Sequence, residues 1–150
     1  MLDFVWHLRG SVNLDGAGSN DLPLDRIEHL LDKQQKRDRE RGPNYLAFND
    51  PLWANFFGSN WLAMVIYDRG RFWIEQGFEG RRLRYELRSL HVVLLCTAAA
   101  VGAFCLGFAG QGLSGGIKLG VGAFAWLYGM NLLLGLIRVP PAIRDAVVRT

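Results

Sequence analysis

The sequence predicts an α+β domain, in the order strand, helix and antiparallel strand meander, followed by a two-helix transmembrane hairpin. Three observations point there. All but one of the 14 acidic residues lie within residues 1–89. Residues 90–137 carry a single formal charge, Lys118. Ahead of that stretch, apolar residues recur at alternate positions, then at helical spacing, then at alternate positions again. Averages over the 150 residues hide this segregation: 50% are hydrophobic, 21% are charged and the formal net charge is +3. Such a composition excludes an ordinary soluble domain, a disordered chain and a disulfide-stapled secreted domain. The positive excess sits beside apolar segments rather than in a basic stripe, so nucleic acid is not an expected partner.

Residues 3–14 alternate, with Phe4, Trp6 and Leu8 on one face, until Gly10 interrupts the pattern. The loop DGAGSND offers Ser19, Asn20 and Asp21 as helix N-caps, and Pro23 suits a first helical turn. Leu24, Ile27, Leu30 and Leu31 then recur at helical spacing. The helix is expected to continue through DKQQKRDRER as a solvated, mixed-charge end and to stop at Gly42-Pro43. A short strand follows at 45–48. Residues 61–67 are apolar on both faces and read as a central strand, which 68–70 turns back into a strand at 72–76. Glu79-Gly80 marks a second hairpin turn. The last strand, 82–88, points Leu83, Tyr85 and Leu87 inward and Arg82, Arg84, Glu86 and Arg88 outward. These elements make residues 1–89 a cytoplasmic domain.

Residues 90–109 and 119–137 are the expected spans of the hairpin. Twenty helical residues cover about 30 Å, the thickness of a bilayer's hydrocarbon core. The glycine-rich connection 110–118 is short, so the spans should lie antiparallel, and 138–150 should form a short basic cytoplasmic tail. Arg81, Arg82, Arg84 and Arg88 before the spans, with Arg138, Arg144 and Arg149 after them, outweigh Lys118. That bias predicts both termini in the cytoplasm, at a bacterial inner membrane. The N-terminus has no basic and apolar signal-peptide regions, so the first 89 residues are expected to stay on that side.

Small residues pattern both spans. Gly122, Ala125 and Gly129 share one face of the second, with Gly120, Asn131 and Gly135 opposite. In the first, Ala98, Gly102 and Ala109 lie on one side, and Ala99, Ala103 and Gly107 are skewed toward the other. One such face serves the partner helix of the hairpin. The second reads either as a docking face for a helix of another subunit or another copy, or as the ordinary small-residue content of membrane helices. Asn131 is expected to hydrogen-bond across helices as structural glue rather than to line a pathway.

At the domain–membrane junction, Arg81, Arg82, Arg84 and Arg88 are expected to meet anionic lipid headgroups. Trp53, Phe56 and Phe57 either dip into that interface or plug the end of the domain core. Catalytic patterns are missing. Cys96 and Cys105 point to opposite sides of one helix, and His7, His29 and His91 have no ligand spacing. There is no phosphate-binding glycine loop, nucleophile elbow, His-Glu-x-x-His or zinc-spaced cysteine pair. Asp50 and Asp68 read as turn residues. No enzyme activity, cofactor or metal is therefore expected. The expected function is a small membrane accessory or scaffold protein, its hairpin packed into a larger assembly and its cytoplasmic domain docking a partner. The alternative is a membrane-surface sensor that binds a lipid headgroup or small ligand through the α+β domain. An oligomeric channel or transporter is less favoured, because Asn131 and Thr97 supply too little polar surface.

Overall fold

The structure, a computed structural model, describes residues 7–14, 19–51, 64, 66–77 and 80–148. In chain order its elements are β1 (His7–Leu14), α1 (Asp21–Lys33), β2 (Arg39–Arg41), β3 (Tyr45–Asn49), β4 (Arg69–Gly77), β5 (Gly80–Arg88) and α2 (Leu90–Val148). The strands form one antiparallel sheet in the order β1-β5-β4-β3-β2.

Alternation sorts the strands into two faces, as expected for a sheet covered on one side. Leu46, Phe48, Phe72, Ile74, Leu83, Tyr85 and Leu87 are buried on the inner face, where Leu24, Ile27 and Leu31 of α1 cover them. Leu8, Val12 and Leu14 complete that face from β1. Gly10 breaks the apolar alternation for a spatial reason: a Cβ there would strike the Tyr85 ring.

Three sequence expectations change within the domain. The first helix ends at Lys33, well before Gly42. Gln34 and Gln35 turn the chain, Gln35 with φ 59, and Arg39–Arg41 becomes a strand paired with β3. The charged run is held by α1 rather than extending it: Arg39 pairs with Asp32 at 2.5 Å and Arg41 with Asp25 at 2.6 Å. The strand expected at 61–67 is absent from its described residues, since Met64 and Ile66 lie in turns. Met64 and Tyr67 are apolar because they enter the core from a turn. Arg69 and Gly70 are part of β4 instead of a turn before it.

The two-helix transmembrane hairpin is also corrected. Leu90–Val148 is one long helical element of 59 residues, with no loop at 110–118. Its geometry departs from helical only at Gly112, with φ 68 and ψ −163, a region that other residues avoid. That single residue bends the helix sharply. A Cβ added at Gly107 would lie 2.6 Å from the Gly115 carbonyl oxygen, and one at Gly120 would lie 3.2 Å from that of Ala100. Glycines at these positions allow the backbones on either side of the bend to touch.

The expected tail belongs to the same helix. Helical structure runs past Pro140 and Pro141 to Val148, and Val139, Ile143 and Val147 are buried in the core shared by α1 and the sheet. Arg26 Nη1 donates to the Val147 carbonyl at 2.7 Å, satisfying one of the acceptors that a helix end leaves open. Both ends of α2 therefore meet the sheet domain. The apolar stretch between them is long enough to cross a membrane, and only 11% of its most apolar window is buried. Leu106 and Trp126 are 76% and 69% exposed. The core helix of a soluble protein would be mostly covered.

Candidate functional site

The sheet meets α2 at a buried, charged joint. Lys36, 1% exposed, donates from Nζ to Asp50 Oδ2 at 2.6 Å and to the Tyr67 carbonyl at 2.7 Å. The ring of Phe48 lies 5.1 Å away. Burial pulls the ammonium below its ordinary pKa of 10.5, against the opposing pull of Asp50. Asp68, also buried, accepts at Oδ2 from Arg88 Nε and Nη2 at 3.0 and 2.7 Å. Its Oδ1 accepts from the Leu90 amide at 2.7 Å, which caps the first turn of α2. Backbone bonds tie these residues together: Asp50 N to Asp68 O at 2.8 Å and Asp68 N to Arg88 O at 2.9 Å. Tyr67 faces the far limb of α2, where a Cβ on Gly135 would come within 2.6 Å of its hydroxyl. Burial raises the pKa of that phenol. Two cations and two carboxylates thus pair off where α1, β3, β5 and both limbs of α2 converge.

The outer face of the sheet is different. β1 contributes Arg9, Ser11 and Asn13, β5 contributes Arg82, Arg84, Glu86 and Arg88, and β4 contributes Arg69, Arg71, Trp73 and Glu75. Tyr45, Ala47 and Asn49 of β3 complete it with Glu40 of β2, which accepts from the Tyr45 hydroxyl at 2.6 Å. Among the described residues no helix covers this face, because α1 and the end of α2 both pack on the other. Its arginines outnumber its carboxylates. Glu86 binds Arg9 at 2.6 Å and Glu75 binds Arg84 at 2.5 Å. Arg69 instead donates to the amide oxygen of Asn49 at 2.5 Å, and Arg71 lies 5.2 Å over the Tyr45 ring. Three shallow grooves, of about 510, 460 and 460 Å³, share Glu86 in their walls. Trp73 lines two of them.

The residues singled out from sequence are distributed over both regions. Arg82, Arg84 and Arg88 share the outer face, but Arg81 lies on the inner side, where its Nη2 donates to the Ser19 carbonyl at 3.3 Å. Arg81 is seven positions from Arg88, about 23 Å along a strand, so of the four only Arg88 adjoins α2. Trp53, Phe56 and Phe57 lie outside the described residues. On α2, Gly107 is buried at the bend, whereas Ala98, Gly102, Gly122, Ala125 and Gly129 are exposed. Gly115 approaches Gly107 there, and Gly116 and Gly120 pack against Phe104. Asn131 donates to its own helix, at the Leu127 carbonyl, 2.8 Å away. Cys96 and Cys105 are free thiols.

Sequence reasoning missed Lys36, Asp50 and Asp68 as a unit, because their partners come from distant segments. Arg69, Arg71 and Trp73 did carry a signal: they alternate as clearly as the residues of β5. Among the described residues no group of three histidine, cysteine, aspartate or glutamate side chains is placed to hold a metal. Together these features define a class, a small α+β sheet domain built onto both ends of a bent helix that is apolar enough for a membrane. Comparison with protein-family models, curated proteins and solved structures finds no match for the chain.

Proposed function

We propose that the protein is an integral membrane adaptor, in which α2 lies in the bilayer and the outer face of the sheet docks a partner protein. The asymmetry of the sheet is the observation that supports this most directly. One face is filled by α1 and the last turns of α2, while the other presents Trp73, Tyr45, Arg71 and Arg84 to solvent. Aromatic and arginine side chains are the usual anchors of protein interfaces, and this face carries no lysine. Its role is non-enzymatic, resting on paired charges rather than on a nucleophile with a base. The proposed orientation has the sheet and both ends of α2 in the cytoplasm at a bacterial inner membrane. It is supported by Arg88, Arg138 and Arg144 near the helix ends against Lys118 near the bend. The exposed small residues Ala98, Gly102, Gly122, Ala125 and Gly129 would then face lipid or other membrane helices of the assembly, including a second copy.

The test is in-membrane photocrosslinking with benzoylphenylalanine placed at Trp73, and at the exposed Leu22 of α1 as a control. A discrete protein adduct at position 73 that is absent at position 22 is expected. No adduct at 73, or the same pattern at both positions, overturns the docking face.

A further inference from the structure

The end of the outer face nearest α2 holds more positive charge than the described residues balance. Register sets Arg88 of β5 directly opposite Arg69 of β4, and Arg71 follows two residues along the same face. Like charges directly opposed on a sheet repel each other. Arg88 is neutralised by Asp68, 2.7 Å away. Arg69 and Arg71 have no such relief. One donates to a neutral amide, the other lies over an aromatic ring, and neither makes an ion pair among the described residues. Glu86 stands opposite Arg71 in register, but its carboxylate is turned to Arg9, accepting from Nε and Nη2 at 2.8 and 2.6 Å. His7, Asn49, Arg69, Arg71, Glu86 and Arg88 line one groove of about 510 Å³. Arginine forks match the oxygens of a phosphate and hold it through charge-assisted bonds.

We infer that this groove binds a phosphate group, of the kind an anionic phospholipid carries at the bilayer surface. Arg88 precedes the start of α2 by two residues, so the groove lies at headgroup level, a placement that rests on α2 being in the membrane as proposed above. Free phosphate is the other source of the same chemistry. The sensor residues shift accordingly, from Arg81, Arg82 and Arg84 to Arg69 and Arg71 beside Arg88.

The experiment is native mass spectrometry of the full chain in mild detergent, titrated with dioctanoyl phosphatidate and, separately, with dioctanoylglycerol, which lacks the phosphate. Saturable binding of the phosphatidate is expected. At about 1 kcal/mol per arginine, R69Q/R71Q should weaken it about thirtyfold. R82Q/R84Q removes the same charge from β5 six and four residues away from Arg88 and should change it less than threefold. Inorganic phosphate that fails to compete assigns the site to lipid, and competition at similar concentration assigns it to free phosphate. Either result supports the phosphate groove. Equal binding of dioctanoylglycerol, an unchanged R69Q/R71Q variant, or tighter binding of a poly-glutamate peptide overturns it. Retention in phosphatidylcholine vesicles after alkaline carbonate extraction is measured alongside. Lost retention defeats the membrane placement of α2, whereas retention without phosphate-dependent binding defeats the groove alone.

Discussion

The inner and outer faces of the sheet are built from alternate residues of the same strands, and they handle charge in opposite ways. On the inner side Phe72, Leu83 and Leu87 are fully buried, and the charge nearest them, Lys36, is locked between Asp50 and the Tyr67 carbonyl. On the outer side Arg69, Arg71 and Arg84 stay in water, held by contacts that an exposed setting makes weak. The difference separates stability from recognition. Cohesion comes from the inner face and the ends of α2, which leaves the outer face, Arg88 apart, free to vary its charges at little cost to the fold.

The comparison breaks most readily at Lys36. Lys36→Ala removes the ammonium paired with the buried Asp50 carboxylate, and removing one partner of a buried pair costs about 3–5 kcal/mol. Denaturant unfolding in detergent should show that loss, and Lys36→Met with Asp50→Leu should recover most of it. A cost near zero for Lys36→Ala would mean that the joint holds nothing. Next comes Ile143→Ala, expected to cost about 2–5 kcal/mol because the side chain is fully buried at the end of α2. If it unfolds no more easily than Leu133→Ala, whose side chain is half exposed, the last turns of α2 are not part of the core.

The bend offers a paired contrast. Gly107→Leu pushes a side chain into the Gly115 backbone and should cost about 1–3 kcal/mol. Gly122→Leu enters open space and should be near neutral for the monomer. Equal effects would remove the distinction between the two glycine sets. A finer probe is alkaline pH. The phenol of Tyr67 titrates above its ordinary 10.0 in the folded chain, so its contribution is complete below pH 10. Above that pH the unfolded chain releases the proton first, and stability falls. Unfolding curves of Tyr67→Phe from pH 9 to 11 should decline less steeply than those of the parent. The smallest effect is expected on the outer face, where Arg84→Gln should change stability by no more than about 0.5 kcal/mol. A loss of several kcal/mol would show that this face, too, carries the fold.

Much of this fold was legible in local pattern. The alternation of Leu83, Tyr85 and Leu87 with arginines, the helical spacing of Leu24, Ile27 and Leu31, and the uncharged stretch after residue 89 each follow from which side of an element meets water. Those features belong to one element at a time. The end of α1 was not legible, because Arg39 and Arg41 fold back to acidic partners on the helix they were expected to extend. Nor was the turned path of Met64, Ile66 and Tyr67, apolar residues that look like a strand until their place in the core is known.

The amino-acid sequence by itself determined where the charge lies, which strand residues face inward, and that the residues after 89 are apolar enough for a membrane. Tertiary structure alone decided that Leu90–Val148 is one helix bent at Gly112, that its last turns complete the domain core, and that Lys36 is buried beside Asp50. It also left Arg69 and Arg71 without an ion pair among the described residues. The reason is physical. Periodicity reports a residue's exposure relative to its own helix or strand, whereas a buried ion pair or a shared core depends on which distant segment is brought alongside, and no local spacing encodes that.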